Sequence, residues 1–203
     1  MRLRSAATAA ALLALVGGCA SRGGAATTGS GTTATTAGAT TTGAATTVAA
    51  GRPAPPPGSA YADPDGTYTI TVAPGWTERS GTLVKDIEAW IVAPAANGFV
   101  ANVNVLTHDA DGMDLDAYLA FTLQHMGTFT VVAHDVTVGA GGRPLGRIEY
   151  AGTPSGSTRA LHLLATIDVR GTHAVVATLT AEEAAFAGLR PDVEPYLLTL
   201  WAT

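Results

Sequence analysis

The chain has 203 residues, with 16 acids against 11 Lys and Arg and a formal net charge of −5. It therefore lacks the basic surface that binding to nucleic acid or anionic headgroups by bulk electrostatics would need. Its single cysteine excludes an internal disulfide framework, so stability must come from packing.

The first residues form a targeting signal. Met1-Arg2-Leu3-Arg4 is a short basic start, 6–16 is a small apolar run, and small residues lead into Cys19. That order is a secretory signal peptide over 1–18. Its end, Leu15-Val16-Gly17-Gly18-Cys19, resembles the lipobox of bacterial lipoproteins. The resemblance implies a diacylglyceryl group on the Cys19 thiol, cleavage after Gly18, and Cys19 as the mature N-terminus. Two acyl chains give durable anchoring where one does not. Gly18-x-Ala20 also fits ordinary secretory cleavage after Ala20. A spanning helix needs about 20 apolar residues, roughly twice what this run offers.

Residues 19–60 are almost wholly Ala, Thr, Gly, Ser and Pro, with no acid and no aromatic. Such a segment buries too little apolar surface to offset the entropy of ordering it. It reads as a disordered tether ending in the stiffer Pro53-Ala54-Pro55-Pro56-Pro57-Gly58 spacer, with a reach of roughly 35 Å. Thr- and Pro-rich secreted segments are also common O-glycan acceptors. The abundance of Ala and Gly suggests a GC-rich genome, as in actinobacteria.

Residues 61–203 are enough for one domain. Seven Arg and Lys face all sixteen acids there, a formal −9. Turn chemistry in Tyr61-Ala-Asp-Pro-Asp-Gly66 precedes a strand over 67–72 and a second turn at Pro74-Gly75-Trp76. Strands follow over 87–92, around Trp90, and 99–106. In the latter, Asn102 and Asn104 alternate with Val103 and Val105, which predicts one wet and one dry face. The strongest helix starts at an Asp114 N-cap, carries Leu115, Tyr118, Leu119, Leu123 and Met126 inward, and stops at Gly127. Strands over 129–138, 147–152, 160–169 and 173–179 come next. Arg170-Gly171 makes the last hairpin turn, and His173 is expected across it from Asp168. Helices over 181–189 and 191–201 finish the chain, with Pro191 in a first turn and Tyr196, Leu197, Leu200 and Trp201 facing inward. Consecutive strands with few helices indicate an α+β fold with an antiparallel sheet.

The order of these motifs is familiar: the aromatic-Pro-Asp-Gly lead-in, Pro-Gly-Trp, Ala101-Asn-Val-Asn-Val105, Asp114-Leu-Asp-Ala-Tyr-Leu119 and Arg147-Ile-Glu-Tyr150. It resembles the actinobacterial LpqN-type lipoproteins with their PsbP-like fold. The resemblance implies an α/β/α sandwich, an antiparallel sheet with helices packed on both faces, on an envelope-anchored protein. It implies a non-enzymatic binding module and supplies no catalytic residues.

No local motif carries chemistry. His108-Asp109-Ala-Asp111-Gly-Met-Asp114-Leu-Asp116 is rich in carboxylates, but an EF-hand loop would require Gly and Glu where Asp114 and Ala120 stand. A strand end, an Asp-Gly turn and a capped helix account for it; a cation at 109–116 is the alternative. Gly152-Thr-Pro-Ser155-Gly156 lacks the first glycine of a nucleophile elbow. His108, His125, His134, His162 and His173 have no zinc spacing. Gly139-Ala-Gly-Gly142 lacks the lysine of a phosphate cradle and reads as a flexible turn. Trp76, Trp90, Tyr150, Tyr196 and Trp201 are expected in the core or at its edge; lining a ligand cleft is the alternative. The expectation is a membrane-attached extracytoplasmic module, with Cys19 as lipid attachment site and no catalytic, cofactor or metal residues. Its partner would be an envelope lipid or a protein, not nucleic acid. A secreted hydrolase without a recognisable motif is the alternative.

Overall fold

The computed structural model describes residues 57–79, 87–94 and 99–203. Cys19, the signal peptide and all but the last few tether residues lie outside them. Ten strands form two antiparallel sheets. The large sheet has the order β3(Thr77–Glu78), β4(Ala89–Val92), β5(Asn102–Asp109), β9(His173–Glu182), β8(Leu161–Arg170), β7(Pro144–Gly152), β6(Thr130–Val138). The small one has β2(Tyr68–Val72) between β1(Ser59–Ala62) and β10(Trp201–Ala202). Among the described residues no helix is long and apolar enough to cross a membrane.

Position in the sheet explains the sequence of each strand. β8 and β9 sit centrally with both faces covered, and each is a nearly unbroken apolar run. β6, at the edge, is mostly exposed. Helix α1(Leu115–Gln124) lies on one face and buries Tyr118 and Leu119 over Ile148, Ala165 and Ile167. Helix α2(Glu183–Leu197) and the small sheet cover the other, where Phe186, Val193 and Leu197 meet Leu164, Leu179 and Val103. Helices therefore pack on both faces of an antiparallel sheet, the expected α+β architecture.

The start of α1 acts as read, but the helix ends at Gln124 with His125 as its C-cap, ahead of the stop expected at Gly127. The Asp114 side chain accepts from the Ala117 N–H at 2.9 Å, and Gly127 adopts φ 64°. Four further details differ from expectation. β1 starts at Ser59, inside the stretch assigned to the tether, because Ser59 and Ala60 pair with Val72 and Thr71. α2 is one helix rather than two: Pro191 and Pro195 stand one turn apart on its exposed side. The carbonyls freed at Ala187 and Pro191 belong to exposed residues, where water can bond them. β7, expected over 147–152, begins at Pro144, so part of the glycine-rich connection is itself sheet. Finally, His173 opposes Arg170, while Asp168 opposes Val175.

That last difference comes from the turn, which is Gly171-Thr172 rather than Arg170-Gly171 and so sets Arg170 opposite His173. Asp168, 1% exposed, pairs with Arg143 and accepts the Ala202 N–H at 2.9 Å. Arg143 in turn donates to the Ala202 carbonyl at 3.1 Å and lies 3.5 Å over the Trp201 ring. Trp201 is thus an exposed lid on Arg143 rather than an inward residue. The 139–142 loop is pinned beneath it: Ala140 N donates to Leu198 O at 2.7 Å, and a Cβ on Gly141 would fall 2.3 Å from Trp201.

Candidate functional site

Alternation along β5 sends Val103 and Val105 to the α2 face and Asn102, Asn104, Leu106 and His108 to the α1 face. The α1 face was expected to be wet, yet Asn102 is only 4% exposed. The register places Asn102 opposite Thr180 and Asn104 opposite Thr178, with Trp90 of β4 on the far side of Asn104. Thr178 and Thr180 are buried as well. The result is a polar row set into the sheet beside the apolar cover that α1 lays over β7 and β8.

The hydrogen bonding of that row is incomplete. Asn102 Oδ1, Asn104 Oδ1, His108 Nε2 and Thr178 Oγ1 are buried without a hydrogen-bond partner. Asn102 Nδ2 reaches only the Val100 carbonyl, at 3.4 Å. Burial raises the Tyr150 phenol, and the nearby Thr178 hydroxyl acts weakly against it, although the two oxygens do not meet in hydrogen-bond geometry. Burial holds His108 below the ordinary imidazole range, so the ring is neutral at pH 7. Each unmade bond costs roughly 1–3 kcal/mol, and such groups rarely cluster unless something occupies them. With two amide oxygens in it, the row favours a neutral ligand that donates hydrogen bonds.

The densest charge lies on the opposite face, under α2, and it is fully matched. Glu149, 8% exposed, receives His162 Nε2 at 2.8 Å and Arg190 Nη1 at 2.6 Å. Glu194 takes Arg190 Nε at 2.9 Å and Arg147 Nη1 at 2.5 Å, and Arg147 also binds Asp135 at 2.6 and 2.8 Å. Burial pushes Glu194 up, but the two arginines together hold it below its ordinary range. His162 has Glu183 3.3 Å from Nδ1 and stacks on Phe186 with centroids 3.8 Å apart. This ladder ties β6, β7 and β8 to α2. No serine is hydrogen-bonded to a histidine in it or elsewhere among the described residues.

The acidic run is engaged locally. Asp109 Oδ1 accepts the Asp111 N–H at 2.8 Å, Asp111 adopts φ 50°, and Asp114 caps α1. Among the described residues, no three His, Cys, Asp or Glu converge as metal ligands. Ser155 is exposed in its turn. Of the five aromatics singled out, Tyr150 is buried, Trp76, Trp90 and Tyr196 are half-buried, and Trp201 is exposed. An apolar void of about 10 Å³, room for about one water, lies under Ile70, Trp76 and Val193. A shallow groove of about 550 Å³ follows the start of β1 and the turn before β3.

No protein-family model and no characterised protein matches this chain by sequence. Solved structures do. LpqN of Mycobacterium tuberculosis, described as involved in cell envelope biogenesis, is 14% identical with a TM-score of 0.50, over 73% of this chain and 86% of that one. A Pseudomonas aeruginosa protein of unknown function gives 16% and 0.50, over 63% and 97%. Cyanobacterial PsbP from Synechocystis gives 12% and 0.48, over 71% and 92%. The chain thus shares its α+β fold with LpqN. At this identity the likeness is one of fold alone, and fold does not fix function.

Proposed function

We propose that this is a lipid-anchored, non-enzymatic accessory protein of the cell envelope, held outside the cytoplasm by acylated Cys19. Its domain recognises an envelope lipid or a partner protein through the polar row on β5 and β9. The observation that carries the reading is the row itself: four buried polar atoms on one sheet face with no internal partner. The lipobox order ending at Cys19 supports the location, and the involvement of the similarly folded LpqN in envelope biogenesis agrees with it. A tether of this composition keeps the domain concentrated at the membrane while leaving it reach.

Two measurements test the two halves. Intact mass of the native protein should show a diacylated Cys19 N-terminus, lost in Cys19→Ala; an unacylated start elsewhere would remove the location. Native mass spectrometry of protein extracted from its own envelope should show a co-purifying lipid or a stoichiometric protein. That species should be lost in Asn104→Leu/Thr178→Val, which keeps the row's volume but removes its polar atoms. Retention by the double variant would move recognition off this face.

A further inference from the structure

Residues 130–138 read Thr-Val-Val-Ala-His-Asp-Val-Thr-Val, and as β6 they form the nine-residue outer edge of the large sheet. An edge presents a line of backbone donors and acceptors to any chain that can align with it. Proteins usually blunt such edges with lysine, proline, bulges or shortness. The opposite edge, β3, follows that rule with two residues. β6 has neither lysine nor proline; its one irregularity is a bulge between Val131 and Ala133. Of the four large apolar side chains exposed among the described residues, three are on it: Val132, Val136 and Val138, at 53%, 48% and 62%.

We infer that β6 is the surface on which two copies of this chain meet, edge to edge and antiparallel about His134. Pattern and charge together select a second copy as the occupant. In a two-fold pairing centred on His134, each Val136 opposes Val132 of the other copy, an apolar cross-strand contact on the α1 side. Ala133 then opposes Asp135, leaving room for a carboxylate that Arg147 already binds at 2.6 and 2.8 Å. The one acid of the strip, Asp135, is thus paired, on a domain whose formal charge is −9. Two such domains therefore approach here at the smallest electrostatic cost, whereas a basic partner would be drawn to the acidic surface elsewhere. The edge is about 30 Å long and buries less than the ~1,600 Å² of a standard interface. The dimer is accordingly weak, with a Kd on the order of 100 µM. This inference is independent of what fills the β5–β9 row.

The test uses the full chain carrying Cys19→Ser, so that neither acylation nor the native thiol contributes. Sedimentation velocity from about 5 µM to about 500 µM should show a monomer passing to a dimer. Val136→Lys, at a half-exposed position, should lower the association constant at least about tenfold by setting charge into the seam, with the melting temperature unchanged. His134→Cys should cross-link to its own copy under mild oxidation, well ahead of Ser155→Cys in the exposed turn. A monomer throughout, a dimer that survives Val136→Lys, or equal cross-linking at both positions would overturn the inference.

Discussion

At Asp168 the competition between desolvation and pairing can be followed atom by atom. A carboxylate at 1% exposure persists because Arg143 and the Ala202 N–H both meet it, with the Arg170 guanidinium 3.4 Å from its other oxygen. Asp168→Ala would leave a half-buried guanidinium without its anion and a backbone N–H without an acceptor. The expected loss is about 3–5 kcal/mol in urea unfolding. Asp168→Asn retains an acceptor for Ala202 and should cost less. A loss below about 1 kcal/mol in the alanine variant would mean that the pair merely breaks even with solvation.

At the level of elements, the two helices are held by different physics. α1 depends on a local signal, so Asp114→Ala should cost about 1 kcal/mol and raise amide exchange in the first turn. α2 starts at Glu182 without a side-chain cap and carries two prolines, so its anchorage is tertiary. Glu149→Gln should disturb it more than Asp114→Ala disturbs α1, because Arg190 loses the one of its two carboxylate partners that lies on the sheet, keeping only Glu194 of its own helix; near-UV ellipticity of the aromatic core would report this. The contrast explains what could be read in advance. Capping and strand alternation are local, and they place α1 and seven of the ten strands; β1, β3 and β10 are too short to alternate, and β10 lies where a helix over 191–201 is expected. The polar row was hidden because alternation shows that Asn102 and Asn104 share a face, but not whether another layer covers it. α2 was divided in two because the cost of proline depends on which carbonyls it frees, and those face water. A turn on Arg170-Gly171 would set Asp168 opposite His173, but glycine takes the first place of the turn, Gly171-Thr172, and the register moves by one residue. The reading of Cys19 rests on sequence order alone, and the residue lies outside the described ones.

For the molecule as a whole, three side chains set opposing pH dependences. Burial raises Glu88; a hydrogen bond from Thr107 at 2.7 Å opposes this, and the Asp63 charge adds to it. A raised carboxyl contributes stability below its unfolded value, about 4.3, and loses it as pH rises through the folded value. Glu88→Gln, which keeps the Thr107 bond, should therefore melt higher than the parent at pH 7 and equally at about pH 4. His108 and Glu194 act in the other direction. Burial lowers His108, so its contribution is complete above the unfolded value of about 6.5 and lost as pH falls below it. Glu194, held low by its arginines, loses its contribution only below about 4.3, once protons compete for it. Melting His108→Leu between about pH 7 and about pH 5 should show a flatter profile than the parent, and an unchanged slope would assign the acid sensitivity elsewhere.

β10 is the last of the described strands in chain order, and it completes a sheet begun by β1 and β2. Until residue 202 has emerged, β2 lacks one neighbour and Asp168 has no amide to receive, so a nascent domain remains short of its native state however much of its sheet has assembled. Ribosome-bound chains stalled before Thr199 should be cut readily by protease, whereas those extended well past Thr203 should resist.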